Sequence, residues 1–264
     1  EHRRILGSTE AAIAAEKVAI ARENSTLLAM RQSADVESVI QKTVNRRKLT
    51  RIIPGPASSS PLPGDHQKMN AGLALHAAGI VSGMSNQRVL DAYESACRSF
   101  KWAGRIDLRK GSPDILFDVA HNPGSMGHLI EHLARGWKLP VPGVVGFLED
   151  KFWREMTLQL RGVLDPVVTT TPLNERCLPA QILAEEFEKH GTEAVVEKKI
   201  DKALGRGREM ANGFLVVTGS FFVTGEAMKH AWRKGCIEMP EAGDEPGQLF
   251  QEAGHVDTPL RTDL

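Results

Sequence analysis

Apolar and polar positions change rhythm along this chain near residue 114. From there, short apolar runs alternate with amphipathic stretches. Residues 115–123 (ILFDVAHNP) read as a buried strand that delivers Asp118, His121 and Asn122 at its C-terminal end. Residues 124–134 follow with Met126, Leu129, Ile130 and Leu133 at helical spacing. Residues 141–148, 166–171, 194–196 and 214–218 read as further strands, the last running on through FFVTGEAMKHAW. Helices are predicted over 150–164, over 179–190 with Ile182, Leu183 and Phe187 inward, and over 200–212. Strands separated by helices of about 10–15 residues predict βαβ units and a parallel sheet, an α/β fold.

The first hundred residues are more helical. Residues 1–22 predict a turn and a helix, with Ser8 or Thr9 as N-cap, Glu10 in the first turn, and Ile13, Lys17 and Ile20 on one face. A strand at 25–30, a helix at 35–44 and a short strand at 49–53 lead to a Pro/Ser/Gly surface loop at 54–64. A helix capped by Asp65 or His66 comes next, rich in small residues (Ala71, Gly72, Ala74, Ala77, Ala78), then a second helix around 85–100. Residues 101–113 read as a domain junction, with Gly104 breaking the helix and Arg105 behind it. From Cys236 the sequence loses periodicity and reads as a loose polar tail.

Composition narrows the class. With 264 residues and 41% hydrophobic content, the chain can bury one large core or two smaller ones. Thirty-three basic side chains balance 33 acidic ones, so no overall field favours nucleic acid or an anionic membrane. No apolar run is long enough to span a bilayer. Three widely spaced cysteines make neither a metal pattern nor a disulfide framework, and a reducing cytoplasmic setting is expected. The chain starts at Glu1-His2, which leads us to expect a fragment or a processed piece. It contains neither a G-x-x-x-x-G-K-[ST] phosphate loop nor a G-x-G-x-x-G after a strand.

Candidate chemistry gathers at a few positions. Ligands of open α/β sheets bind at strand C-termini, where Asp118 and His121 are expected; the alternative is that these polar residues cap the next helix. Lys17 between two isoleucines at helical spacing is unusual, although an exposed lysine can lay its stem along apolar surface. Gln67 and Asn70 lie one turn apart at a helix start, where backbone N–H groups favour an anion. The planar fork of Arg105 suits a phosphate.

Taken together, the motifs resemble the folylpolyglutamate synthase/dihydrofolate synthase family of the Mur ligase superfamily. ILFDVAHNP with Arg105 upstream in WAGRIDL resembles the C-terminal Mur ligase domain. EHRRILGSTEAAIAAEKVAI is similar to that family's D-H-x-x-x-L-G-x-T…I-x-x-E-K-A-G-I segment, and GDHQKMNAGLAL to its G-x-H-Q-x-x-N-A-A-L-A-L helix. TTTPLNERCLPAQILAEEF is similar to T-x-P-x-x-R-A-x-P-x-x-x-L-A, and VVTGSFFVTGEAM to a closing G-S-x-x-x-x-G-E strand pair. The resemblance runs in order over about residues 1–230.

The resemblance implies an amide ligase that uses ATP and Mg2+ to convert a folate carboxylate to an acyl phosphate, which the amine of L-glutamate attacks. It implies the C-terminal part of the ATPase domain at 1–104, a Rossmann-like domain at 105–235 and a tail at 236–264. It implies that His2 and a carbamylated Lys17 ligate the metal, Lys17 thereby also serving catalysis. Asn70, Arg105 and Asp118 match ATP contacts, and His121 and Ser220 match the glutamate or folate side, with His121 also catalytic. Glu1 for Asp, Val18-Ala19 for Ala-Gly and Gly72 for Ala depart from the pattern. Without a phosphate loop the chain is expected to be a monomer inactive alone, completed by a missing N-terminal half. A Mur-type ligase of a muramyl-peptide or cyanophycin-type substrate, and a non-catalytic Rossmann-like module, are the alternative readings.

Overall fold

The computed structural model describes residues 9–237, which divide into a unit ending at Phe100 and one beginning at Lys101. His2 and the tail beyond Ile237 lie outside the described residues.

The first unit holds α1 (Glu10–Val18), β1 (Thr26–Leu28), α2 (Ala34–Arg47), β2 (Thr50–Ile52), α3 (Asp65–Ser82) and α4 (Asn86–Ser99). β1 and β2 pair in parallel, Thr26 opposite Thr50. Thr9 caps α1, its hydroxyl accepting from the Ala12 N–H at 3.2 Å. α1 stops at Val18, so Ile20 lies beyond it and is 85% exposed, and Lys17 is exposed too. The expected face of Ile13, Lys17 and Ile20 therefore does not form. The cause is tertiary: Arg47 of α2 donates to the Ala19 carbonyl at 2.6 Å and to that of Ala21, capturing oxygens that a longer helix would have used.

α3 begins at Asp65 with Gly64 as its cap, not Asp65 or His66. Gly64 has φ +104°, a conformation that suits glycine, and Asp65 then lies in the first turn, where a negative charge is favoured. Of the small residues on this helix only Ala71 and Gly72 are buried. Gly72 has a reason to be small: a Cβ there would stand 1.9 Å from the Gly55 carbonyl oxygen of the loop that packs on the helix. That loop is tied down by the Ala57 N–H donating to the Lys68 carbonyl at 2.9 Å. Gly72→Ala should therefore weaken the first unit by about 2 kcal/mol, despite alanine's better helix propensity. Urea unfolding followed by a probe in this unit tests this, and an unchanged midpoint would mean the loop gives way freely.

The second unit is a doubly wound sheet. Its elements are β3 (Asp107–Arg109), β4 (Asp114–Phe117), α5 (Pro123–Gly136), β5 (Val141–Val145), α6 (Trp153–Gln159), β6 (Leu164–Thr169), α7 (Ala180–Lys189), β7 (Ala194–Val196), α8 (Ile200–Met210), β8 (Phe214–Thr218) and α9 (Phe221–Arg233). The strand order is β3-β4-β8-β5-β6-β7, with β3 antiparallel and the remaining pairs parallel. From β4 the chain steps outward through β5, β6 and β7, then returns to insert β8 between β4 and β5. With right-handed crossovers, that reversal sends the helices to opposite faces. Met126, Leu129, Met156, Leu183 and Phe187 of α5–α7, with Leu160 at the end of α6, pack with Leu116 and Val216 on one face. Leu204, Val223, Ala227 and Met228 of α8 and α9 pack with Ile115, Phe117 and Val217 on the other. Each such buried Val, Leu, Ile, Phe or Met contributes about 1.5–3 kcal/mol.

Several boundaries differ from the sequence expectation. The segment after β8 is a helix, not a strand continuation or strand pair. Gly219, at φ +114°, ends β8, Ser220 caps α9, and Val223, Ala227, Met228 and Ala231 turn inward at helical spacing. The expected helix at 150–164 shrinks to α6, because Gly162 at φ +70° turns the chain into β6. Ile182 is 42% exposed, since Leu183 and Phe187 set the inward face of α7. Within the expected junction, β3 is a three-residue charged edge strand, too short to show an alternation.

Candidate functional site

β8 lies between β4 and β5, yet the chain leaves β8 for one face of the sheet and leaves β4 and β5 for the other. In open α/β sheets, ligands bind beyond the strand C-termini at such a reversal. The backbone there is pared down. A Cβ on Gly219 would meet the Gly146 carbonyl oxygen at 2.5 Å, and one on Gly146 would meet the Thr170 carbonyl oxygen at 2.7 Å. The ends of β5, β6 and β8 thus touch through main chain.

Asp118 follows β4 and is only 7% exposed. One carboxylate oxygen accepts from the Ile106 N–H at 2.9 Å, the other from the Ala120 N–H at 2.8 Å. Burial pushes this carboxyl up to about 6, against the opposing pull of the two N–H donors, Arg105 and His121. A buried carboxyl titrating near neutrality at such a strand end is a functional-site signal. Asp118 also acts as a brace. The turn that carries Arg105 has Gly104 at φ +74° and Ile106 at φ +49°, an uncommon conformation for a β-branched residue. It is held to the end of β4 by Asp118 and by the Val119 N–H donating to the Gly104 carbonyl at 2.9 Å.

His121 and Asn122 turn the chain into α5. Asn122 makes a capping box with Ser125, accepting from the Ser125 N–H at 2.9 Å. The His121 Nδ1 lies 2.9 Å from the Val119 carbonyl, which can only accept, so Nδ1 carries the proton in the neutral ring and Nε2 is the basic nitrogen. Ser220, 1% exposed, caps α9 by accepting from the Val223 N–H at 3.1 Å. Thr224 of the same helix donates to the Asp118 carbonyl at 2.9 Å, tying α9 to the end of β4.

Asp118, His121, Ser220 and Arg105 thus gather around the ends of β4 and β8. Two residues at this edge were not singled out from the sequence. The Phe221 ring lies 5.3 Å from the His121 ring and 5.5 Å from the Arg105 guanidinium carbon. Thr218 is fully buried at the end of β8, with no partner for its hydroxyl. Neither carries a local sequence signal: one reads as the next apolar residue, the other as a strand residue.

The remaining candidates belong to the first unit. Asn70 is exposed on α3 and donates to Gln67 at 3.1 Å. Lys17 lies on the wall of a cavity of about 750 Å³, with Glu10, Ile13, Met30 and Ile40 also on its walls. Among the described residues no three His, Cys, Asp or Glu side chains are grouped to hold a metal, and no helix is long and apolar enough to cross a membrane.

Residues 104–221 match the family described as "Mur ligase, glutamate ligase domain". A probable bifunctional folylpolyglutamate synthase/dihydropteroate synthase of Halobacterium salinarum is 28% identical over 98% of this chain and 35% of its own length. A dihydrofolate synthase/folylpolyglutamate synthase of Mycobacterium tuberculosis is 33% identical over 47% of this chain and 26% of its own length. The chain thus spans between a quarter and just over a third of these relatives. Among solved structures, M. tuberculosis folylpolyglutamate synthase complexed with ADP and AMPPCP matches with a TM-score of 0.73 at 21% identity, over 88% of this chain and 60% of that one. E. coli FolC in complex with DHPP and ADP matches with a TM-score of 0.72 at 21% identity, over 89% and 60%. Sequence motifs, domain match and fold point the same way: the chain is similar to folylpolyglutamate synthases, and its residues 104–221 match the glutamate ligase domain of Mur ligases.

Proposed function

We propose that this chain is part of an ATP-dependent amide ligase that adds L-glutamate to a folate. The observation that carries the reading is the glutamate ligase domain match at 104–221, a span that contains Arg105, Asp118, His121 and Ser220. In this reading the terminal phosphoryl group of ATP passes to a folate carboxylate and ADP leaves. The glutamate amine then attacks the acyl carbon, phosphate departs, and the nitrogen loses a proton as the amide forms. Arg105 offers its guanidinium to the terminal phosphates, and Asp118 holds the Arg105 turn beside the ribose. His121 receives the amine proton at Nε2, and Ser220 keeps the start of α9 against the glutamate or folate. Asn70 is the ATP contact of the first unit.

Mg2+, when bound, neutralises charge on the phosphates. His2, outside the described residues, and Lys17, once carbamylated to supply oxygens in place of its ammonium, would hold it. The reading divides the chain into the C-terminal part of an ATPase domain at 1–104, a Rossmann-like domain at 105–235 and a tail at 236–264. It makes the enzyme a cytoplasmic monomer and takes the phosphate loop from sequence outside these 264 residues. Calorimetric titration of ATP with Mg2+ into this chain, and into the chain joined to a phosphate-loop-bearing ATPase segment, tests it. Binding confined to the joined form, weakened about tenfold by Arg105→Ala, supports the reading. Absence of binding in both forms overturns it.

A further inference from the structure

Phe221 is the first residue of α9 and is 38% exposed, whereas Val223, Thr224, Ala227 and Met228 of the same helix are buried. Packing does not require an aromatic ring at this position. Yet the ring touches two residues that come from other elements. On one side is the guanidinium of Arg105, with its carbon 5.5 Å from the ring centroid. On the other is the imidazole of His121, with centroids 5.3 Å apart and planes at 47°.

We propose that Phe221 is a positioning residue whose ring fixes the Arg105 guanidinium and the His121 imidazole relative to each other across the end of the sheet. The proposal rests on the roles given above to those two residues. The backbone of Arg105 is already fixed, through Asp118 and Ile106. Its side chain is long, and ordering it costs rotamer freedom. A ring face under the guanidinium recovers part of that by cation–π attraction, and the tilted contact with His121 restricts the imidazole. The backbone that carries the ring is fixed, because the hydroxyl of Ser220, one residue earlier, accepts from the Val223 N–H. One rigid helix start would thus hold an anion-binding group and a base at a set separation, which is what in-line transfer followed by amine attack requires.

The test compares Phe221→Leu, which stays apolar but loses the ring face, with Phe221→Tyr, which keeps it. Two readouts are taken, the first on this chain and the second on the chain joined to a phosphate-loop-bearing ATPase segment, with folding checked by near-UV circular dichroism. The first is the Asp118 titration followed by NMR. Arg105 pulls that titration down, so a guanidinium that swings away lets it rise. We expect Phe221→Leu to raise it as Arg105→Ala does, and Phe221→Tyr to leave it alone. The second is affinity for inorganic tripolyphosphate. We expect a loss of about three- to thirtyfold in Phe221→Leu, less than twofold in Phe221→Tyr, and no further loss when Phe221→Leu is added to Arg105→Ala. A Phe221→Leu chain that folds and leaves both readouts unchanged overturns the proposal. If Arg105→Ala leaves tripolyphosphate affinity intact while Phe221→Leu still shifts the titration, the phosphate role of Arg105 falls and the positioning role of Phe221 stands.

Discussion

Gly219→Ala should cost the second unit about 3–4 kcal/mol, combining two separate penalties. Gly219 has φ +114°, which an L-residue adopts only under strain, at about 1–3 kcal/mol. Its added Cβ would also stand 2.5 Å from the Gly146 carbonyl oxygen and 3.0 Å from the Gly146 carbonyl carbon. Those atoms are main chain at the end of β5, so they cannot rotate away, and overpacking adds about 1–3 kcal/mol. Gly213 separates the terms. It has φ +83° but nothing within 4 Å of its would-be Cβ, so Gly213→Ala should show the strain alone. Urea midpoints of the two variants measure the difference, and equal losses would mean β5 and β8 can part without cost. The Gly219 substitution should also disturb the site. Ser220 and Phe221 follow directly, and any widening between β8 and β5 would carry them away from Asp118 and His121.

The second large effect concerns pH. Burial lifts the Asp118 carboxyl to about 6, whereas the unfolded chain ionises near its ordinary value of 3.8. Between those values the folded protein binds more protons than the unfolded chain, so stability falls as pH rises. Below pH about 4 both states are protonated and no penalty exists. Above pH about 6 the folded protein carries the full penalty, about 3 kcal/mol. Asp118→Asn, which cannot ionise, should remove that slope between pH about 4 and 6. It should also lose one of the two N–H contacts, because an amide sets a donor NH2 against one of them where the carboxyl, protonated or not, presents two oxygens. The variant is therefore expected to be less stable near pH 4 and to close the gap toward pH 7. Unfolding free energies across that range test the sign, and parallel curves for the two proteins would refute the buried titration. The native chain thus keeps an unfavourable ionisation at that strand end, where a titratable group is useful, and holds it with backbone donors.

How much of this was legible beforehand depends on the range of each interaction. The alternation of apolar runs and amphipathic stretches after residue 114 is a local property, and it carried the α/β class and most strand positions. The reading faltered where two short signals competed. FFVTGEAMKHAW has the β-branched and aromatic content of a strand, but its inward residues are spaced for a helix, and Gly219-Ser220 supplied the break and the cap. α1 was read too long because the arginine that ends it comes from α2. β3 is an edge strand of three residues, and its pairing with β4 is visible only once β4 is in place.

The site divides along the same line. The sequence by itself determined which residues are candidates for the chemistry. Asp118, His121 and Arg105 stand in motifs whose spacing is local, and the strand-then-turn pattern around ILFDVAHNP already aimed two of them at a strand end. Tertiary structure decided what those residues meet. The insertion of β8 between β4 and β5 sets the start of α9 beside the end of β4, and no local pattern encodes that strand order. The burial that shifts Asp118, the bond from Asp118 to a strained Ile106, and the ring of Phe221 between Arg105 and His121 all follow from that neighbourhood. Side-chain identity and periodicity are written residue by residue. Dielectric, strain and cross-strand contact are properties of what surrounds a residue, and they exist only once distant segments have packed together.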